Sequence, residues 1–274
     1  MGAQSTYTLK IRASAAAKLM VGCAGITDKQ LLELAELEQR RLDAMSGKAK
    51  PLTANMDAKL AELIAKRDAK PELSQTAKTY IEELWLQWRY GYKTPLVTDG
   101  LLKGNMCEQD AIGMVSRVHP CDEFRVKCKK SFEDDYFSGN PDILLSKIVE
   151  DIKNAWSLET FFYTQQLDPI YYGQGQVYMH LTGRRKFRVY HCLVNTPLEL
   201  VYAEQKKYYW KFGGEEDNPH YKEAARQIEQ NHNFDHIPEN ERVKLFEFDY
   251  DPCYIAELQK RVEIARVYFD SLKL

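Results

Sequence analysis

The chain has 274 residues, of which 44% are hydrophobic and 28% charged, and its formal net charge is −2. This composition is typical of a folded globular protein and excludes an intrinsically disordered chain. The near-neutral charge excludes a strongly basic, histone-like nucleic-acid binder, but it allows binding through a local basic patch. No apolar run approaches the ~20 residues that cross a bilayer, so no membrane partner is expected.

The six cysteines are scattered along the chain and form no CxxC pair. Such a distribution is typical of reduced thiols in a cytosolic protein, and not of a disulfide or zinc framework. The N-terminus also lacks the charged, apolar and small-residue order of a secretory signal. We therefore expect a cytoplasmic protein, in a bacterium or in a phage-infected host.

The N-terminal part of the chain is predicted to be mainly helical. A strand-like start at 7–11 leads into a helix of small residues at 13–20. Two amphipathic segments within 28–69, the first with Thr27 as its N-cap, predict a charged helical hairpin inserted ahead of the core. Further helices are predicted at 74–90 and 103–117.

From residue 124 onward, strands and helices alternate in the predicted structure. The predicted strands are at 125–132, on either side of Ser146 and Lys147, at 187–194 and at 243–250. The predicted helices are at 157–164, 168–182, 197–212 and 253–272. Helices around a short mixed sheet indicate an α+β or α/β fold. We expect one domain, 1–274, with its core at 103–194 and a C-terminal part at 195–274.

The strongest chemical signal is a hairpin that carries two aspartates. If its strands pair about a turn at 146–147, then 143 lies opposite 150 and Asp142 opposite Asp151. Directly opposed side chains have Cβ atoms ~4.5–5.5 Å apart. Because side chains alternate along a strand, Lys153 shares the face of Asp151, whereas Glu150 points to the other face.

Two carboxylates at this separation repel each other by roughly 3 kcal/mol at an effective dielectric constant of about 20. Folding alone does not require such a pair, and a hard divalent cation would relieve the repulsion, since Mg²⁺ prefers carboxylate oxygens. The alternative is a solvated hairpin with surface charges. The turn leaves that alternative open, because Ser-Lys is not a favoured two-residue hairpin pair.

Three further motifs accompany this hairpin. They are Gly104-x-x-x-Glu108, Gln174-x-x-x-Tyr178 and the segment 11–14 with Arg12 and Ser14. In this order and spacing they resemble the PD-(D/E)xK nuclease superfamily, and within it the phage-type exonucleases related to lambda exonuclease and the YqaJ recombinases. The resemblance extends from Arg12 to the C-terminal helix and is poorest at 28–69. It implies a restriction-endonuclease-like core.

The resemblance implies a role for each residue of the hairpin motif. Asp142, Asp151 and Glu108 would bind one or two Mg²⁺ ions, or Mn²⁺ in their place, together with the backbone carbonyl of Ile152. Lys153 would orient or deprotonate the attacking water. The implied reaction is hydrolysis of a phosphodiester by metal-activated water.

The resemblance also implies contacts with DNA. Gln174 and Tyr178 would hold the lysine and contact the DNA backbone, while Arg12 and Ser14 would bind a terminal phosphate. Lambda-type enzymes can carry a serine where this chain has Asn140. An amide can also donate to a phosphate, but the substitution leaves dependence on a 5′-phosphate open.

For other basic and aromatic residues, the sequence allows two interpretations, a DNA contact or a structural role. Arg184 and Arg185 would follow DNA phosphates or lie in a solvated turn, and neither reading is favoured. Trp156 would stack on a base or pack against the sheet, with packing favoured. The pair His232-x-x-x-His236 has helical metal-ligand spacing, but its polar surroundings favour a structural or surface role.

The implied function is an Mg²⁺-dependent exonuclease that digests one strand of linear duplex DNA from its end, 5′ to 3′. By analogy it acts in phage or prophage recombination beside a single-strand-annealing protein, and it resembles enzymes that form trimeric rings. The first alternative is an endonuclease or single-strand nuclease with the same site. The second is a DNA-end-binding module with weak or no catalysis.

Overall fold

The computed structural model describes residues 7–21, 28–68 and 72–274. The chain divides into two compact units. The helical unit comprises Met1–Leu9, Lys18–Tyr92 and Glu257–Leu274, and the sheet unit comprises Lys10–Ala17 and Lys93–Ala256. The predicted N-cap, Thr27, lies outside the described residues.

The helical unit contains the predicted helical hairpin. Its helices are α2 (Asp28–Met45) and α3 (Ala54–Asp68), and they follow α1 (Ala16–Met20) in the chain. Leu34 of α2 and Leu63 of α3 are fully buried in the small apolar cluster between the two helices. The predicted hairpin is thus confirmed, and its amphipathic pattern corresponds to helix-on-helix packing.

Helix α4 (Gln75–Tyr90) has well-defined ends. The Ser74 hydroxyl accepts a hydrogen bond from the Ala77 backbone N–H (3.2 Å), which satisfies one of the free donors at the helix start. Gly91 ends the helix with φ of 67°, a left-handed conformation that favours glycine. These signals explain why the predicted range, 74–90, agrees with the observed helix.

The sheet unit contains two small sheets. The main sheet has the order β4 (Ile143–Leu144), β5 (Ile148–Asn154), β6 (Lys186–Cys192) and β7 (Val243–Asp249). Strands β5 and β6 are parallel, whereas the two outer pairings are antiparallel. The second sheet has the order β1 (Ile11–Arg12), β3 (Phe137–Gly139) and β2 (Phe132–Glu133). The predicted mixed sheet is therefore confirmed.

Six helices of the sheet unit accompany these strands, and a closing helix, α11 (Pro252–Ser271), follows β7. They are α5 (Asp99–Met106), α6 (Glu108–Val118), α7 (Leu158–Tyr163), α8 (Pro169–Thr182), α9 (Leu198–Lys211) and α10 (Pro219–Asn231). Among the described helices, none is both long enough and apolar enough to cross a bilayer.

Helices α6 and α8 cover opposite faces of β5. Val115 of α6 packs in an apolar cluster with Ile152, whereas α8 contacts the face that carries Asp151. Helix α8 approaches the sheet closely at Gly175, where an added Cβ would lie 2.6 Å from carbon atoms of Phe187 and Phe248. The glycine thus allows α8 to bring its polar side chains onto β5.

Several predicted elements differ from the structure. The strand-like start predicted at 7–11 is a strand only at β1, Ile11–Arg12. The helix predicted at 103–117 is two helices, because Cys107 has a non-helical backbone (φ −95°, ψ 5°) and α6 begins at the next residue. The strand predicted at 125–132 is reduced to β2 and an isolated bridge between Lys127 and Ile143. Arg125 turns inward there, since its side chain is 2% exposed and pairs with a buried glutamate.

Helix α10 was not predicted, although its start carries a recognisable signal. Asn218 is its N-cap, with the side-chain oxygen accepting from the His220 backbone N–H (2.9 Å), and Pro219 is the first helical residue. An asparagine followed by a proline is a common helix start.

Candidate metal and DNA site

The hairpin that carries both aspartates has the predicted register. Ile143 pairs with Glu150, and Leu144 pairs with Val149. The Leu145 backbone N–H donates to the Ile148 carbonyl (2.9 Å), which closes the turn at 146–147. Asp142, one position before β4, therefore lies beside Asp151.

A side chain from outside the hairpin stabilises its turn. The carboxylate of Glu123 accepts hydrogen bonds from the Ser146 backbone N–H (2.8 Å) and from the Ser146 hydroxyl (2.7 Å). These two bonds compensate for a dipeptide that does not itself favour a tight hairpin turn.

Both carboxylates and one lysine converge on the face of β5 that α8 covers. The Asp142 Oδ2 atom accepts a hydrogen bond from the Ile152 backbone N–H (2.9 Å). The Lys153 Nζ atom lies 2.6 Å from Asp151 Oδ2 and 5.0 Å from the centroid of the Tyr171 ring. Asp151 is 1% exposed, so this arrangement is largely removed from water.

The proximity of the two carboxyl groups changes their acid–base behaviour. Burial, and next the charge of Asp151, raise the pKa of Asp142 to about 7, although Lys153 acts in the opposite direction. Burial disfavours the charged form of Lys153, but the Asp151 and Asp142 carboxylates outweigh it and raise the Lys153 pKa. Without a bound cation, Lys153 is therefore held as an ammonium ion, and its orienting or deprotonating role stays a prediction.

The donor set fits a divalent cation. Asp151 Oδ2 is buried and, among the described residues, accepts no hydrogen bond of good geometry; its neighbour is the Lys153 ammonium. Repulsion between two carboxylates, seen in the raised pKa of Asp142, is relieved when both bind one hard cation. Asp142 and Asp151 are thus suitable ligands for Mg²⁺ or Mn²⁺.

Glu108, the third predicted ligand, contacts a residue other than the two aspartates. It is the first residue of α6 and forms an ion pair with Lys127. Residues 127–128 run beside the first aspartate, because the Cys128 backbone N–H donates to the Asp142 carbonyl (2.7 Å). Over the described part of the chain, no group of three or more His, Cys, Asp or Glu side chains converges as a metal site. The roles of Glu108 and of the Ile152 carbonyl as ligands stay predictions.

The predicted pair on α8 faces the carboxylates. Gln174 Nε2 lies 3.3 Å from Asp151 Oδ1 and 3.2 Å from the Tyr178 hydroxyl oxygen, as a donor to both. The Tyr178 hydroxyl donates to the Asn140 carbonyl (2.9 Å), and burial raises the Tyr178 pKa to about 12. Gln174 thus reaches Lys153 through Asp151, and Tyr178 fixes the backbone two residues before Asp142.

The structure gathers the predicted terminal-phosphate residues around one cavity of about 410 Å³. Arg12, Ser14, Asn140 and Tyr178 line it. Next to Asn140, Gly139 lies in close contact with its neighbours, since an added Cβ would be 2.6 Å from Tyr178 Cε1. The cavity therefore adjoins the carboxylate pair through Asn140 and Tyr178.

The remaining predicted DNA contacts have other partners. Trp156 packs edge-on against the His232 ring, with 4.9 Å between centroids. Arg184 donates to the carbonyls of Leu145 (3.2 Å) and Thr182 (2.6 Å). Arg185 is exposed, and its guanidinium lies 4.4 Å from the centroid of the Tyr250 ring. Trp156 therefore has a packing partner, although this partner is His232 and not the sheet, and its stacking on a base stays a prediction.

The histidine pair has no helical spacing in the structure, because α10 ends at Asn231. His232 is buried and lies 2.8 Å from the Thr196 hydroxyl. These contacts agree with the structural reading that the sequence favoured.

Two residues that lie at the site were not predicted from the sequence to belong to it. Tyr171 lies one turn before Gln174 on α8, so the spacing of three residues could have placed it on the same face. Lys127 lies on the alternating segment at 125–132, but only the fold shows that it pairs with Glu108.

Comparison with known proteins identifies the fold. A phage-related exonuclease from Haemophilus somnus 129PT matches with 21% identity and a TM-score of 0.61, over 96% of this chain and 95% of that one. The alkaline exonuclease LHK-Exo of Laribacter hongkongensis matches with 14% identity and a TM-score of 0.53, over 96% and 88%. Its complex with dAMP matches with 13% identity and a TM-score of 0.52, over the same shares.

Neither a protein-family model nor a curated protein sequence matches the chain. The likeness is therefore one of three-dimensional structure, and it agrees with the resemblance that the motifs carry. The chain shares its fold with the phage-related exonuclease from Haemophilus somnus and with the alkaline exonuclease LHK-Exo.

Proposed function

We propose that the chain is a metal-dependent deoxyribonuclease that removes nucleotides from one strand at the end of duplex DNA. The observation that carries this proposal is the convergence of Asp142 and Asp151 beside Lys153. Its occurrence within a fold shared with exonucleases supports hydrolysis of a phosphodiester as the reaction. The dAMP complex of the similar Laribacter enzyme supports DNA as the substrate class.

The proposed ion is Mg²⁺, with Mn²⁺ as a substitute, and one or two ions are compatible with the donor set. Asp142 and Asp151 would hold it, with Glu108 and the Ile152 carbonyl as further ligands. A bound divalent ion supplies charge stabilisation for the phosphate and a lowered pKa for the attacking water.

The protein groups around the ion have separate tasks. The Lys153 ammonium orients the water and offsets the charge that develops on the phosphate oxygens. Gln174 orients the Asp151 carboxylate through its hydrogen bond of 3.3 Å. Tyr178 fixes the backbone at Asn140, so the position of Asp142 depends on α8 as well as on the hairpin.

The cavity beside the carboxylates supports the proposed dependence on a DNA end. Arg12 offers a charged donor, Ser14 a hydroxyl and Asn140 an amide, and all three line the same cavity. Such donors suit a phosphate that is not esterified on both sides, because charge-assisted hydrogen bonds strengthen with the charge of the acceptor. By analogy with the family that the motifs resemble, we propose that this cavity binds the 5′-terminal phosphate and that digestion runs 5′ to 3′.

The biological setting rests on analogy with the family. We propose a role in phage or prophage recombination, in the cytoplasm, beside a single-strand-annealing protein. A trimeric ring around DNA is the proposed assembly. Gel filtration with light scattering would detect a trimer, and a monomeric chain with full processivity would contradict the ring.

A timed digest of labelled duplexes tests the enzymatic proposal. Linear duplex DNA carrying a 5′ or a 3′ label, and a relaxed circle, are incubated with Mg²⁺ or with Ca²⁺. We expect Mg²⁺-dependent release of nucleotides from the linear substrate only. Asp142→Asn and Lys153→Met should abolish it, while Lys260→Met, a substitution of an exposed lysine on α11, should leave it unchanged.

The alternatives predict different products. Cleavage of the circle would identify an endonuclease, and digestion of single strands alone would identify a single-strand nuclease with the same site. Tight binding of DNA ends without cleavage would identify an end-binding module. Undiminished digestion by both site variants would eliminate the proposed site.

A further inference from the structure

Lys127 occupies a position that the proposed function does not use. Its ammonium forms an ion pair with Glu108, the carboxylate that the family resemblance implies as the third metal ligand. Glu108 is mostly buried, with 15% of its side chain exposed, whereas 48% of the Lys127 side chain is exposed. The pair therefore joins a buried acid to a lysine that can leave into water.

The backbone holds this lysine beside the metal site. Lys127 forms a bridge with Ile143, the residue after Asp142. The next backbone N–H, that of Cys128, donates to the Asp142 carbonyl (2.7 Å). The segment that carries Lys127 is thus anchored to the strand that carries a proposed ligand, and Glu108 is held next to the same strand through Lys127.

The charges of the site favour an exchange of cations. When ionised, the three proposed ligands Glu108, Asp142 and Asp151 carry three negative charges, and two ammonium groups compensate part of them: Lys127 pairs with Glu108, and Lys153 pairs with Asp151. A divalent cation that takes the place of one ammonium balances these charges. The same cation added beside both ammonium groups leaves an excess of positive charge, which opposes binding.

The exposed lysine is the ammonium that can be exchanged. Lys153 is 23% exposed and held between Asp151 and the Tyr171 ring, whereas Lys127 is half exposed. Ion pairs with an exposed partner are weak, so a metal with several carboxylate ligands can outcompete this one. Release of Lys127 also frees the Glu108 carboxylate for the metal.

We propose that Lys127 is a counter-ion of Glu108 that a divalent metal displaces, so that Lys127 sets the metal affinity of the site. This inference rests on the proposed metal-dependent function. It assigns to Lys127 a role in the affinity for the ion, and none in the chemical step.

The test is calorimetric titration of the full chain with Mn²⁺, without DNA. Lys127→Met removes the ammonium and keeps the length of the side chain. We expect its Kd for Mn²⁺ to fall about two- to fivefold, the range that the loss of one exposed ion pair allows. Lys127→Gln is the second variant, and thermal unfolding without metal verifies that both variants are folded.

Lys130→Met is the matched control, because it removes the same charge from the same segment. The Lys130 ammonium lies 4.9 Å from the centroid of the Phe132 ring. The Kd of this variant should remain that of the wild type. In a Glu108→Gln background, Lys127→Met should no longer change the Kd, since the double-mutant cycle isolates the interaction of this pair.

The outcomes separate the inference from the function on which it rests. If Asp142→Asn does not weaken Mn²⁺ binding, the proposed metal site itself fails. If Asp142→Asn weakens binding but Lys127→Met leaves the Kd unchanged or raises it, only the counter-ion role is overturned. If Lys127→Met and Lys130→Met lower the Kd for Mn²⁺ equally, the counter-ion role is also overturned, because the effect is then one of overall charge.

Discussion

Arg125 and Glu150 form a buried ion pair on the face of β5 opposite Asp151. The Arg125 Nε and Nη2 atoms donate to the two Glu150 carboxylate oxygens (2.7 and 3.1 Å), and the side chains are 2% and 0% exposed. Arg125 also donates to the His119 carbonyl (2.7 Å). The pair holds Arg125 against β5. Residues 127–128, which follow it closely in the chain, lie beside Asp142.

Removal of the arginine should destabilise the fold. Arg125→Met leaves Glu150 buried without its bidentate partner, and breaking such a pair costs about 3–5 kcal/mol of unfolding free energy. Urea denaturation followed by circular dichroism measures this loss. The control is Arg117→Met, which breaks the exposed pair with Glu239 and should cost no more than about 1 kcal/mol. Equal losses in both variants would contradict the assigned role of the buried pair.

The metal-free chain should lose stability as the pH rises from about 4 to about 7. Asp142 has an ordinary pKa of 3.8, and in the fold burial and Asp151 raise it to about 7. Between these values the folded state binds the proton more tightly than the unfolded state, so this group stabilises the fold less with each increase in pH. Above about 7 the contribution is lost, because the carboxyl is ionised in both states.

Thermal unfolding at several pH values, without metal, measures this trend. Asp142→Asn cannot titrate, so the difference in Tm between wild type and variant should change across the same range. Mg²⁺ should raise the wild-type Tm more at pH 8 than at pH 6, since the ion binds the ionised carboxylates. A metal-induced shift that is independent of pH, or that persists in Asp142→Asn, would be inconsistent with this assignment.

Gln174 should contribute to metal affinity although it is not a ligand. Its amide donates to Asp151, and the loss of groups that orient metal ligands commonly reduces affinity or activity by about 10- to 100-fold. Gln174→Met should therefore weaken Mn²⁺ binding by about that factor in a calorimetric titration. The variant should fold, because Met has a similar volume.

Gln176 is the matched control on the same helix. It is also buried, but its amide donates to the Asp249 carbonyl (2.9 Å) and its oxygen accepts from the Asp251 backbone N–H (2.7 Å). Gln176→Met should lower the Tm and leave the Kd for Mn²⁺ unchanged. If both variants bind the metal as tightly as the wild type, Gln174 has a structural role only.

Arg12 should determine the preference for a phosphorylated end. It lines the cavity with Ser14 and Asn140, and a hydrogen bond to a charged group contributes about 1.5–3 kcal/mol. Arg12→Gln should lower the ratio of digestion rates on 5′-phosphorylated and 5′-hydroxyl duplexes by about 10-fold or more. Lys147→Gln, at the hairpin turn, removes an equal charge and should leave the ratio unchanged.

Much of the secondary structure was predictable because it depends on local patterns. The helices with strong periodicity or caps, such as α4 with Ser74 and Gly91, were predicted to within a residue or two. The register of the hairpin was also correct, since alternation along a strand determines which residues share a face. Asp142, Asp151 and Lys153 could therefore be brought together before any tertiary contact was known.

Where prediction failed, a partner from elsewhere in the chain decided the structure. The strand predicted at 125–132 is interrupted because Arg125 turns inward to Glu150. The helix predicted at 103–117 breaks at Cys107, a buried residue whose thiol lies 3.5 Å from the Asn195 carbonyl. Neither partner can be inferred from the local pattern, because it is brought near by packing.

The sequence by itself determined most of the helices, the shared face of the two aspartates and the lysine, and the motifs that indicate a nuclease fold. Only the tertiary structure decided that Arg12, Ser14 and Asn140 line one cavity and that Glu108 pairs with Lys127. The physical reason is range: periodicity acts over a few neighbouring residues, whereas burial and ion pairing depend on which distant segments pack together.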